Sequence, residues 1–69
     1  MKVEIKVHET NKGFKVLFLI GNQQFQLKEI EDPFQQDALT EALFLRAMLE
    51  KAFKNLGAKP IVKDVEYLS

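Results

Sequence analysis

The sequence predicts an α+β domain in two layers, and three observations carry that prediction. Residues 2–8 alternate apolar and polar side chains strictly, and residues 14–20 and 23–29 carry Phe14, Val16, Phe18 and Ile20, then Phe25 and Leu27, at every second position, the mark of strands. Residues 33–56 instead repeat their apolar positions at helical spacing, with Pro33 at the front and Gly57 behind. Residues 60–68 then read as one more strand. The expected architecture is a three-stranded antiparallel meander, one long helix and a fourth, C-terminal strand. That makes β-β-β-α-β, in spatial order 3-2-1-4 or with the last strand exchanged with a partner.

In the first strand Val3, Ile5 and Val7 share one face and Lys2, Glu4, Lys6 and His8 the other. The cluster from Glu9 to Gly13 is a turn. In the second strand Phe14, Val16, Phe18 and Ile20 point inward, while Lys15, Leu17 and Leu19 point outward. Gly21-Asn22 is a two-residue hairpin turn. Pairing across it sets Phe18 opposite Phe25, Val16 opposite Leu27 and Lys15 opposite Lys28. A Thr10-Asn11 tip on the first hairpin sets Val7 opposite Phe14, Ile5 opposite Val16 and Lys6 opposite Lys15. Slipping either hairpin by one residue would exchange inside for outside.

Asp32 is placed as helix N-cap, Pro33 at the first helical position and Gln35 as the capping-box partner. Gly57 supplies the stop, with Lys51 and Lys54 near the negative end of the helix dipole. A helix over 33–56 would be about 36 Å long, against about 23 Å for a seven-residue strand. The helix therefore begins nearer Gln36 or overhangs the sheet. Its core stripe is Ala38, Ala42, Leu45, Leu49, Ala52, Phe53 and Leu56, with Leu39, Leu43, Phe44 and Ala47 off it. The final stretch alternates poorly: Ile61, Val65 and Tyr67 fall on one face, Val62 and Leu68 on the other.

Residues 1–69 form a single domain near the lower size limit for a self-supporting core. A homodimer that shares apolar surface is the expected way to add stability. Ten basic residues balance ten acidic ones, so no global field attracts nucleic acid or an anionic membrane. The absence of cysteine excludes disulfides and thiolate metal sites. The first residues lack a signal-peptide core, and the longest apolar run, residues 16–20, is far too short to span a bilayer. A cytoplasmic location and no membrane contact are expected.

Two surface features bear on function. Leu17 and Leu19 face outward on the middle strand and, with Leu43 and Phe44 on the helix, exceed the apolar surface a two-layer monomer needs. They are the expected protein interface, with the chain itself or with another protein. The second feature is the row Lys6, Lys15 and Lys28, where an anion or a nucleic-acid backbone would relieve like-charge repulsion across the sheet. The favoured reading of the row is lysines splayed into water beside Glu4 and Glu29, and with Phe14, Phe18 and Phe25 inward this face has no stacking platform for bases.

Catalysis finds little footing. His8 is the only histidine and reads as a solvated strand-end residue; no ligand-spaced pair, Gly-rich phosphate loop or cysteine nucleophile is present. The expected protein is a non-enzymatic interaction or regulatory module without catalytic residues, metal or cofactor. One topological likeness points elsewhere. Strands in order 3-2-1-4 with a helix before the last one resemble the front half of the ribonuclease H fold. In that family carboxylates on strand one, in the first helix and at the end of strand four hold divalent metal. Glu41 and Asp64 fall at comparable places, while His8 stands where the strand-one carboxylate would be. The resemblance implies a degenerate, metal-dependent nuclease fold as a remote alternative.

Overall fold

The computed structural model describes residues 2–32 and 35–68, Gln35 by its backbone alone. Three strands, β1 (Lys2–Glu9), β2 (Gly13–Ile20) and β3 (Gln23–Glu31), precede the helix α1 (Gln35–Asn55), and β4 (Lys59–Val62) follows it. They form one four-stranded sheet in the order β3-β2-β1-β4. The meander is antiparallel and β4 runs parallel to β1. The expected α+β fold and strand order are therefore present, with the last strand paired inside the chain.

The Gly21-Asn22 hairpin closes as predicted. Gly21 has φ 61° while Asn22 keeps a negative φ, the pattern of a type II′ turn with glycine first. Phe18 pairs with Phe25, and their rings stack at 5.3 Å. The first hairpin differs by two positions. Its tip is Asn11-Lys12, because the Thr10 hydroxyl accepts hydrogen bonds from the N–H groups of Gly13 (3.0 Å) and Lys12 (3.3 Å). This local side-chain turn moves the closing pair to Thr10 and Gly13, whose N–H and carbonyl meet at 2.8 Å. Val7 thus faces Val16, Ile5 faces Phe18 and Lys6 faces Leu17, replacing the expected Val7–Phe14, Ile5–Val16 and Lys6–Lys15 pairs.

A second correction lies in β3. The β2–β3 ladder shifts between Val16 and Leu17, so that Val16 pairs with Lys28 and Lys15 with Glu29. Leu27 is the extra residue of a β-bulge. Past it the strand's parity inverts: Ile30 comes opposite Phe14 on the helix side, and Lys28 turns to that side as well.

The interior lies between sheet and helix in two adjoining clusters. Val7, Phe14, Val16, Ile30, Ala38 and Ala42 make one; Val3, Ile5, Phe53 and Ala58 make the other. Ala38 and Ala42 are fully buried, as expected of small residues that let the helix approach the strands. Leu45 and Leu49 are half-buried, and Leu39, expected off the stripe, packs on the first cluster. Leu56, expected in the stripe, is 74% exposed, because α1 has ended before it. Gly57 N–H bonds to the Lys54 carbonyl and Ala58 N–H to that of Phe53, both at 3.0 Å. This is the Schellman cap, with Ala58 packed near Phe53. The predicted Pro33 start lies outside the described residues, as does the side chain of Gln35.

The C-terminal strand is shorter than the expected 60–68. β4 pairs Val62 with Ile5, and Lys63 N–H still bonds to the Ile5 carbonyl. Pairing resumes where Glu66 bridges His8, one residue out of step. The inserted residue puts Val65 on the core, like Val62's partner Ile5, and brings Tyr67 edge-on to Phe14 at 6.2 Å. The confused alternation of the sequence is the trace of this interruption.

Candidate interaction surface

α1 lies mainly over β2, β1 and β4 and touches β3 least. Of the side chains that β3 turns toward the helix, Ile30 is buried, but Phe25 is 41% exposed and Leu27 44%. Against them stands the near flank of α1. Leu27, Leu45, Met48, Leu49 and Ala52 line an open apolar groove of ≈ 260 Å³. Lys28 and Glu41 bridge one end of it at 3.1 Å. Toward the other end Phe18 stacks between Phe25 and Phe53. Met48 is 53% exposed and Phe44, one helical turn before it, 64%. The groove is therefore bounded by a helix flank on one side and a nine-residue sheet edge on the other.

The residues expected to form an interface are not brought together. Leu17 and Leu19 lie on the sheet face away from the helix. Leu17 is only 1% exposed, yet it belongs to neither core cluster. Its lateral neighbours by register are Lys6 and Gln26, whose aliphatic stems are placed to shield it while their polar ends stay in water. Leu17 is thus a structural residue and not free contact surface; Leu19, beside Glu4, is half-buried. On the helix Leu43 and Phe44 stand 100° apart. Leu43 shares the flank of Arg46, whose guanidinium donates to the Lys63 carbonyl beyond β4. Phe44 shares the opposite flank with Glu41 and Met48. Of the two, only Phe44 stands on the helix flank that borders the groove, one turn before Met48, and it is not part of the groove's lining. Phe25 and Leu27 were expected as interior, and Met48 had no assigned place. Their signal was the span from Phe25 to Ile30, an odd separation between two inward residues.

The lysine row is also broken. Lys6 and Lys15 remain on the open face, diagonal to one another across Leu17 and His8. Lys28 is on the other face, held by Glu41, and Lys15 meets Glu29 instead. His8 is half-buried and not solvated: its Nε2 lies 3.4 Å from a Glu66 carboxylate oxygen, outside hydrogen-bond geometry. Glu41 sits over β3 and Asp64 follows β4, at opposite edges of the sheet. Three strand spacings of about 4.8 Å separate them, so the metal-binding carboxylates implied by the ribonuclease H likeness do not converge. Among the described residues no three His, Cys, Asp or Glu side chains are grouped to hold a metal ion, and no helix is long and apolar enough to cross a membrane.

No protein-family model matches the chain, and neither curated proteins nor solved structures yield a match.

Proposed function

We propose that this chain is a small non-enzymatic module that acts by binding protein, with itself as one partner, through the β3–α1 flank. The observation that supports this reading is the concentration of Phe25, Leu27, Phe44 and Met48 on one flank; further exposed apolar side chains, Leu56, Ile61, Val62, Tyr67 and Leu68, lie past the helix end and along β4 and the segment after it. Scattered exposed apolar residues are ordinary, but a contiguous groove of them beside an unpaired strand is the kind of surface that proteins cover. Less supports the alternative of an anion or nucleic-acid site, since Lys28 lies on the opposite face beside Glu41 and the row keeps only Lys6 and Lys15 together.

The double variant Phe44→Lys with Met48→Lys tests the reading. Both side chains are exposed, so circular dichroism should report an unchanged fold. Wild-type protein should retain a protein, its own copy or a foreign one, at fixed stoichiometry in native mass spectrometry, and the variant should lose it. A wild-type chain that holds neither kind of partner would remove the proposal.

A further inference from the structure

We infer that the occupant of this flank is a second copy of the chain, joined by antiparallel pairing of β3 with its symmetry mate about a two-fold axis at Phe25. The inference rests on the protein-binding reading and specifies its partner and geometry.

The two sheet edges are not equivalent. The β4 edge is four residues long and contains Pro60; just past it the Lys63 carbonyl accepts from Arg46. These features blunt an edge. β3 has nine residues and no proline, and its first four, Gln-Gln-Phe-Gln, carry no charge. Its bulge and charged residues, the usual protections, begin only at Leu27. The stretch open to pairing is therefore residues 23–27.

Hydrogen-bond parity then limits the register. A two-residue turn closes on a hydrogen-bonded pair, here Ile20 and Gln23, and such pairs alternate along an antiparallel ladder. Phe25 consequently directs its backbone groups to β2, while Gln24 and Gln26 direct theirs outward. A mate whose Gln26 faces Gln24 satisfies all of these groups, by symmetry twice over. Phe25 then meets its own copy as a non-hydrogen-bonded pair, with Cα atoms about 4.5 Å apart and side chains close. Gln23 comes opposite Leu27 on the helix side, and Lys28 opposite Asn22. Each face stays continuous and no like charges oppose one another. Centring the axis on Lys28 would instead juxtapose two ammonium groups. The Phe18–Phe25 stack would extend across the axis into its mate, roofed by both copies of Leu27 and Met48.

Five open residues at about 3.4 Å give a paired edge near 17 Å, so against a smallest dimension of 17 Å the strands alone cover about 300 Å² on each copy. The helix flanks with Phe44 and Met48 must supply the rest of a specific interface of about 1,000 Å².

Three measurements test this. Sedimentation of the wild type should show twice the monomer mass. Gln24→Pro removes an outward N–H that β2 does not use, and should return the mass to that of one chain with the far-UV spectrum unchanged. Phe25→Cys, the sole thiol of its chain, should give a disulfide-linked dimer on mild oxidation, whereas Thr40→Cys on the far side of α1 should not. If Gln24→Pro fails to fold, the two cysteine variants decide alone. A wild type that stays monomeric at millimolar concentration overturns the inference, and leaves the protein-binding reading standing if a foreign protein occupies the flank. A dimer that Phe25→Cys does not trap overturns it equally.

Discussion

Lys28 and Glu41 tie the edge strand to the helix, ammonium to carboxylate at 3.1 Å, although Lys28 is flanked in its strand by residues that alternate in the opposite sense. The pair exists only because the bulge at Leu27 turns Lys28 over. Both side chains are about half exposed, so the interaction is worth only about 0.2–1 kcal/mol. A double-mutant cycle of Lys28→Ala and Glu41→Ala should return a coupling in that range at low salt, falling as sodium chloride is added. A coupling above about 2 kcal/mol would mean the pair is drier than its exposure indicates.

Leu17 should behave as a core residue despite lying on the sheet face without a helix. Leu17→Ala is expected to cost about 2–3 kcal/mol in urea denaturation, and Leu19→Ala, half-buried at the rim, under about 1 kcal/mol. Equal costs would show that Leu17 is not shielded by its polar neighbours.

Gly13 lies where the backbones of β2 and β3 come close: a Cβ there would overlap the carbonyl oxygen of Ile30. The obstacle is main chain and cannot swing aside. Gly13→Ala should therefore destabilise by about 1–3 kcal/mol and lower amide protection along residues 29–31 of β3. Unchanged protection would count against this packing.

Arg46 fastens the chain beyond β4 by donating to the Lys63 carbonyl at 3.0 Å. Arg46→Ala should cost about 0.5–1.5 kcal/mol. Its clearer signature is faster exchange of the Lys63 and Glu66 amides, whose bonds to Ile5 and Val7 anchor that segment. Equal exchange rates in variant and wild type would show that the hydrogen bond is idle.

The meander, helix and strand order were legible because alternation and helical periodicity report burial directly. The register of the first hairpin was not. Shifting it by two keeps Val3, Ile5 and Val7 inward either way, so hydrophobic pattern cannot discriminate, and the Thr10 hydroxyl decides. The interface fared worse for a related reason. Phe25 and Ile30 both face the helix across an odd interval, as do Val62 and Val65. Each odd interval demands an inserted residue, and a strict period-two reading passes over it. Without the insertion Lys28 joins Lys15, and Leu27 takes an interior place opposite Val16. With it, charge and apolar surface trade sides. Leu17 posed a different difficulty, since it is buried on the sheet face that carries no helix, which alternation alone does not signal.

The contrast between the two margins of the sheet governs how far assembly can run. With Pro60 in β4, the pairing inferred above would use the β3 margin alone, so growth would stop at the pair. Reopening the closed margin would convert a terminating unit into a chain-extending one. The brevity of β4, four residues with a proline, would then cap the assembly as well as complete the sheet.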